Sequence, residues 1–449
     1  MKILIAGAGE VGFHLAKLLS FEAQDITLID TDKESLNYAD SHLDIRVLRG
    51  DATSISILRE ARVETSDLVI AVTSSEATNI AICAIAKQLG SKRTIARISN
   101  TEFVDHQEEI GFINFGIDEL ISPEQLAAAE IKFLLDQSAF LDSYEFEEGA
   151  LTMVGISLPK TAPFVGKTVR EAAQVFPEIH FMPIVVRRAA TQYTLIPRGD
   201  TEFKADDLVY FITSEEGVDE LYKLIGKERE TINNVMILGG SRIGFKTARD
   251  LCSNSFNVKL IERDRSKAFD MADDLPNALV VNGDGRNVEL LDEEHIEEMD
   301  AFIAVTGDSE TNIMSCLVAK SKDVKKTIAL VENMDYFHLS HSIGIDTLIN
   351  KKLLAANNIF RHIRRGDIVD MAKLNNVNAE ILEFVVNSES KITGKIIRDL
   401  EFPRSAIIGG VIREGKGLIA LGGFEIKAGD RVVVCCLPRS ISRVEKLFA

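Results

Sequence analysis

The chain of 449 residues contains itself twice, and that duplication limits its fold more than any other feature. Gly7 and Asp30 recur as Gly239 and Glu262 at an offset of 232 residues. Gly50-Asp51, Ala71-Val72-Thr73 and Asn79-Ile80 recur as Gly283-Asp284, Ala304-Val305-Thr306 and Asn312-Ile313 at an offset of 233. Ile117-Asp118 recurs as Ile345-Asp346 at 228, so about five residues are missing before it in the second copy. A shorter, strand-rich block follows each copy. Its turns are Gly166-Lys167-Thr168-Val169-Arg170-Glu171 and Gly394-Lys395-Ile396-Ile397-Arg398-Asp399, again 228 apart. Repeats at a fixed spacing mean repeated structural units. The expected parts are 1–138, 139–226, 232–366 and 367–449, with a polar linker over Gly226 to Asn234.

The first block begins with a continuous apolar run, Lys2 to Ala6, as in strands buried on both faces of a parallel sheet. Gly7-Ala8-Gly9-Glu10-Val11-Gly12 follows at once, then helical apolar spacing at Leu15, Leu18 and Leu19, then a second strand ending in Asp30. Strand, G-x-G-x-x-G, helix, strand and acid form the dinucleotide-binding pattern. Gly7 permits the tight turn, Gly9 the approach of a pyrophosphate, and Gly12 close helix packing. The pyrophosphate then rests on the free N–H groups of the helix. Asp30 is placed for ribose hydroxyls, and its charge favours NAD(H) over NADP(H). Asp51 with Ala52, Thr73 and Arg97 stand at the ends of later strands, where ligands sit in open α/β sheets. Asp51 also reads as a turn residue, Thr73 as a helix cap for the segment from Glu76, and Arg97 as a surface ion pair.

The second copy reads Gly239-Gly240-Ser241-Arg242-Ile243-Gly244, with Ser241 at the middle glycine and Arg242 where the first copy has Glu10. A guanidinium at a helix N-terminus suits a terminal phosphate, whereas Glu10 would repel one. The expectation is NAD(H) at the first site and ATP/ADP or NAD(H) at the second, with Glu262, Asp284 and Thr306 completing the second set. Leu330 stands where Arg97 would be.

Lysine and arginine number 51 against 69 acids, a formal charge of −18, which disfavours nucleic acid and anionic lipid as partners. No window reaches the roughly 18 apolar residues that cross a bilayer. The N-terminus reads as a strand, not a signal peptide. The five cysteines, with adjacent Cys435-Cys436, read as small buried hydrophobes of a reducing compartment. A soluble, cytoplasmic protein is expected.

A catalytic set is not legible. The strand-rich blocks carry one histidine, His180, and no repeated acid/base cluster; no nucleophile elbow or Walker A motif is present. Gly166-Lys167-Thr168 and Gly394-Lys395-Ile396 read as turns into helices. His338 and His341 have metal-ligand spacing but stand alone. The helical run Pro123 to Leu135, apolar at Leu126, Ile131, Leu134 and Leu135, reads equally as crossover or dimer packing and as ordinary core packing in one subunit. An NAD-dependent dehydrogenase with duplicated Rossmann domains is the alternative; it lacks a visible acid or base.

The duplication together with Gly7-x-Gly9-x-x-Gly12, Asp30, Gly50-Asp51, Ala71-Val72-Thr73, Asn79-Ile80 and Ile95-Ala96-Arg97 resembles the tandem RCK (regulator of potassium conductance, or KTN) proteins. The resemblance covers nearly the whole chain. It implies an α/β fold: two Rossmann-like parallel-sheet domains, each followed by a small α+β RCK C-type domain. It further implies a non-enzymatic cytoplasmic regulatory subunit, peripheral on the inner face of the plasma membrane. Such proteins form a homo-oligomeric ring beneath a potassium-transporting membrane subunit of the Trk type. NAD(H) and ATP or ADP shift that ring between shapes and so gate the pore. The matching positions are Gly7, Gly9, Gly12, Asp30, Asp51 and Thr73, then Gly239, Ser241, Arg242, Gly244, Glu262, Asp284 and Thr306.

Overall fold

The computed structural model describes residues 1–20, 24–100, 102–136, 142–175, 180–191, 193–224, 232–332, 344–363, 368–373 and 377–448. His338, His341 and most of the Gly226–Asn234 linker lie outside the described residues.

Four sheets follow one another along the chain. The first is parallel, with strands β1 Lys2–Ala6, β2 Asp25–Asp30, β3 Arg46–Arg49, β4 Leu68–Ala71, β5 Arg93–Arg97 and β6 Glu119–Ile121 in the order 3-2-1-4-5-6. The second is antiparallel: β7 Asp142–Phe146, β8 Leu151–Ser157, β9 Phe181–Arg187, β10 Thr194–Leu195 and β11 Leu208–Thr213. The third repeats the first with β12 Asn234–Leu238, β13 Asn257–Glu262, β14 Ala278–Asn282, β15 Ala301–Ala304, β16 Lys326–Leu330 and β17 Thr347–Ile349. The fourth repeats the second with β18 Ile368–Lys373, β19 Glu380–Val385, β20 Ala406–Arg413, β21 Lys416–Leu418 and β22 Arg431–Cys436. The 3-2-1-4-5-6 order is that of a dinucleotide-binding fold.

The sheets group as like with like. Met1–Leu135 and Ile232–Ile363 form one compact unit; Asp136–Thr231 and Arg364–Ala449 form the other.

In the unit of parallel sheets, exchanged helices join the two copies. Ala127, Ile131, Leu134 and Leu135 of the helix Pro123–Asp136 share a core with Val235, Ile237 and Leu251 of the second copy. The helix therefore crosses over to the second copy, and its apolar face is core within one chain. Leu126 is only half-buried, and Ala127 takes its place inside. Reciprocally, the second copy's helix Lys351–Ile363 packs on the first copy's helix Glu10–Ser20.

In the other unit, two antiparallel sheets share one core. Met153, Ile184 and Tyr210 from one sheet meet Ile381, Ile407 and Val433 from the other. Side chains alternate along a strand. Cys435 therefore enters the shared core, while Cys436 enters the core on the opposite face of its own sheet. Adjacent in sequence, the two thiols point apart and serve as packing. Burial likewise pushes the Cys83 thiol up to about 12. Thr168 and Glu171 form a reciprocal cap at the helix Val169–Val175, with the Thr168 N–H donating to Glu171 at 2.8 Å and the Glu171 N–H donating to Thr168 at 3.2 Å.

The duplication extends to single hydrogen bonds. Thr73 donates its hydroxyl to Asn79 Oδ1 at 2.7 Å, and Asn79 donates to the Arg97 carbonyl at 2.8 Å. Thr306, Asn312 and Leu330 repeat this at 2.6 and 2.8 Å. The helix cap is Ser75, not Thr73: its Oγ accepts the Thr78 N–H.

Candidate nucleotide clefts

Each parallel sheet has a cleft at the carboxyl ends of its strands. The first, about 630 Å³, is lined by Gly7, Gly9, Glu10, Val11, Asp30, Asp51, Ala52, Thr73 and Arg97, and also by Asp32, Ser35 and Lys352. Gly12 is not in the lining. A Cβ there would meet the Gly7 carbonyl oxygen at 1.9 Å, so Gly12 serves the helix–strand contact instead. At Gly9 a Cβ would meet nothing within 4 Å. The space in front of it belongs to the cleft.

Asp30 Oδ2 accepts the Ala8 N–H at 2.6 Å, and Oδ1 accepts the Asp32 N–H at 2.9 Å. Each oxygen keeps a further lone pair for a hydroxyl donor. Asp51 Oδ1 accepts from the Thr53 N–H and hydroxyl, both at 2.8 Å, which hold its carboxyl below the usual range. It is a turn residue and a cleft residue at once. Among the described residues Arg97 forms no ion pair. It lines the cleft, and its Nε is buried without a hydrogen-bond partner among the described residues. A buried unpaired donor is costly and calls for a partner.

The second cleft, about 470 Å³, is lined by Gly239, Ser241, Glu262, Asp284 and Thr306 together with Arg263, Lys267, Arg286 and Asp308. Arg242, Ile243 and Gly244 do not line it. Gly244 repeats the Gly12 contact, with a Cβ 2.0 Å from the Gly239 carbonyl oxygen. Arg242, expected at this cleft, stands outside that lining. It starts its helix as an exposed residue, and its charge is the smallest of the influences that hold the first copy's Glu76 carboxyl below the usual range, after the Ser99 and Asn100 N–H groups. Ser241 folds its hydroxyl away, donating to the Val305 carbonyl at 2.7 Å and accepting the Gly244 N–H at 3.2 Å.

The cations missed in the sequence are Arg263, Lys267 and Arg286. At the repeat offsets they replace Thr31, Ser35 and Thr53 of the first copy. Comparing the copies position by position beyond the glycine turn reveals them. Lys267 lies 3.2 Å from Glu262, and Arg286 lies 2.6 Å from Asp284. Burial raises the Glu262 carboxyl, but the Asp264 N–H and Lys267 outweigh it and hold it low. The Arg286 side chain, above all, holds Asp284 at about 2. The first lining sets four carboxylates (Glu10, Asp30, Asp32, Asp51) against two cations, Arg97 and Lys352. The second sets three, Glu262, Asp284 and Asp308, against the three cations.

With this geometry in place, comparison with known proteins is decisive. The TrkA-N domain model matches residues 3–123 and 235–351, and the TrkA-C domain model matches 153–226 and 381–449. The chain belongs to the TrkA family. It is 34% identical to the Trk system potassium uptake protein TrkA of Halomonas elongata over 100% of this chain and 98% of that protein. To the Haemophilus influenzae protein of the same name it is also 34% identical, over 100% and 98%. To a Methanosarcina mazei homologue it is 32% identical over the full length of both. Among solved structures, the GsuK RCK domain superposes with a TM-score of 0.60 at 18% identity, covering all of this chain and 94% of that one. The GsuK channel bound to NAD gives 0.61 at 17% identity, covering 100% of this chain and 78% of that one. These structures share the fold. TrkA-family proteins are not enzymes, which removes the dehydrogenase alternative.

Proposed function

We propose that this TrkA-family chain is the nucleotide-sensing regulatory subunit of a Trk-type potassium uptake system. NAD(H) occupies the first cleft and ATP, ADP or NAD(H) the second, and their binding gates the potassium-transporting membrane subunit. Family membership supports the potassium-uptake role. The observation that carries the ligand reading is Arg97, whose buried Nε has no partner among the described residues in a cleft that also holds Asp30 and the open face of Gly9.

In the first cleft Asp30 would hold the ribose hydroxyls. The turn Gly7–Gly12 would hold the pyrophosphate through backbone N–H groups, and Arg97 would face the anionic part. Asp51, Ala52, Thr73, Glu10 and Val11 shape the walls. In the second cleft Glu262 has the ribose position, and Asp284, Thr306, Gly239 and Ser241 line the walls. Arg263, Lys267 and Arg286 balance its acids, so it suits the more highly charged nucleotide. Such a ligand acts only through different affinities for two shapes of the assembly. On this reading the parts 1–138 and 232–366 sense, and 139–226 and 367–449 contribute subunit contacts or further ligand binding. The chains form a homo-oligomeric RCK ring, cytoplasmic and held at the inner face of the plasma membrane by the transporter subunit. Among the described residues no helix is long and apolar enough to cross a membrane.

Calorimetric titration of the whole chain with NADH, NAD⁺, ATP and ADP tests the reading. We expect Asp30→Ala to weaken NADH at one site by tenfold or more, a loss of about 1.4 kcal/mol or greater. Absence of binding by all four nucleotides overturns it.

The second cleft yields its own prediction. Asp284 neutralises Arg286 at close range. Asp284→Asn should free that guanidinium and tighten ATP at this cleft several-fold, with a steeper salt dependence. Weaker ATP binding in this variant would mean that Asp284 holds the ligand directly.

A further inference from the structure

The first cleft is not built by the first copy alone. Lys352, from the second copy's helix Lys351–Ile363, lies in its lining. Its ammonium is 2.7 Å from Glu10 and 3.2 Å from Glu332. Glu10 begins the helix Glu10–Ser20, whose free N–H groups are the seat for a pyrophosphate. An acid there repels the ligand and competes with it for Lys352. Asn350 Oδ1 accepts the Lys352 and Leu353 N–H groups at 2.9 and 3.0 Å, which fixes the start of the lysine's helix. That helix in turn packs on the Glu10–Ser20 helix.

The second cleft has no such visitor. The first-copy residue at the position of Lys352, 228 earlier, is Glu124. Glu124 is buried, lies 3.9 Å from Lys351 and is absent from the second cleft's lining. All three cations of the second cleft come from its own copy. One cleft is therefore shared between the copies and the other is self-contained.

Resting on the nucleotide reading of the first cleft, we propose that Lys352 is a phosphate ligand supplied to that cleft by the second copy, held in reserve by Glu10 and Glu332. A nucleotide pyrophosphate at the turn draws the ammonium from Glu10. The charge contact between the two helices is thereby remade through the ligand. Occupancy of the first cleft then changes how the copies are joined, whereas occupancy of the second leaves that contact alone.

The test is calorimetric titration of the full chain with NADH. The first-cleft component is the one removed by Asp30→Ala. Lys352→Gln should weaken that component about tenfold or more, the loss expected for a charged hydrogen bond. Lys352→Arg should restore most of it. Glu10→Gln should strengthen it, because repulsion and competition both vanish. ATP binding at the second cleft should be unchanged in all three. Opposite signs for Glu10→Gln and Lys352→Gln are the signature, since both variants break the same ion pair and a mere helix staple would make them behave alike. Equal weakening by both, or no change with Lys352→Gln, overturns the inference and leaves the nucleotide reading standing. Should Lys352→Gln fail to fold, Glu10→Gln decides: unchanged or weaker NADH binding overturns the inference. A wild-type chain that binds no NADH overturns the reading itself.

Discussion

Gly12→Ala should both destabilise the unit of parallel sheets and abolish ligand binding at the first cleft, whereas Gly9→Ala should do only the second. A Cβ on Gly12 would stand 1.9 Å from the Gly7 carbonyl oxygen and 3.0 Å from its carbon. Both are backbone atoms of the tight turn, where Gly7 has φ of 112°. No side chain can swing aside, so the helix Glu10–Ser20 must move off β1. Overpacking of this kind costs about 1–3 kcal/mol and sometimes more. The displaced helix also carries the packing surface for the helix Lys351–Ile363, so the effect spreads to the second copy. At Gly9 a Cβ meets nothing within 4 Å, so the empty protein loses little. The added methyl would then occupy the approach proposed for the pyrophosphate. Thermal unfolding and NADH titration of both variants check this. Equal melting temperatures for Gly12→Ala and wild type would overturn the packing argument. Undiminished NADH binding in Gly9→Ala would overturn the assignment of the turn to the ligand. The second copy has already made a related change, since Ser241 stands at the Gly9 position and bonds its hydroxyl inward.

Arg413→Ala should strongly destabilise the other unit. Arg413 Nε donates to Asp430 Oδ1 at 2.7 Å and Nη2 donates to Oδ2 at 2.8 Å, a two-pronged pair. The guanidinium also donates to the Glu425 carbonyl at 2.8 Å and lies over the Phe424 ring. The Asp430 side chain is only 1% exposed. Without Arg413 it keeps the Lys427 N–H and little else to balance its charge. Breaking a buried ion pair by removing one partner costs about 3–5 kcal/mol. Urea unfolding of the unit should show that loss, and Arg413→Lys should recover only part, because an ammonium cannot form the planar fork. A loss below about 1 kcal/mol would place Arg413 among ordinary surface ion pairs. The first copy repeats the arrangement with Arg188, which donates to Asp207 and to the Glu202 carbonyl. Arg188→Ala should therefore behave alike.

Much of the fold was legible because its determinants are local. The apolar run Lys2–Ala6, the glycine turn and the acid at Asp30 lie within 30 residues. Together they specify a strand, a turn and a helix whatever surrounds them. The offsets of 232 and 233 residues then carry the pattern to the second copy. Recurrence of Asn79 as Asn312 likewise foreshadowed one hydrogen-bond network built twice. The walls of the first cleft were readable for the same reason: strand ends in a parallel sheet all open on one edge.

Three matters were decided only by tertiary structure. Arg242 is next to the glycine turn in sequence, yet it is absent from the second cleft's lining, and its charge reaches the first copy's Glu76. Lys352 comes from about 340 residues beyond Glu10, and no spacing rule links them. Arg263, Lys267 and Arg286 show up when the copies are compared, but that they line one cleft together follows from separate strands ending side by side, a juxtaposition set by sheet order. The sequence by itself determined the repeated strand–turn–helix units and the edge on which their strands end, since these follow from backbone geometry and short-range patterning. Which charges meet across that edge was left to tertiary packing, between copies at the first cleft and within one copy at the second, because an ion pair depends on distance in space and not on distance along the chain.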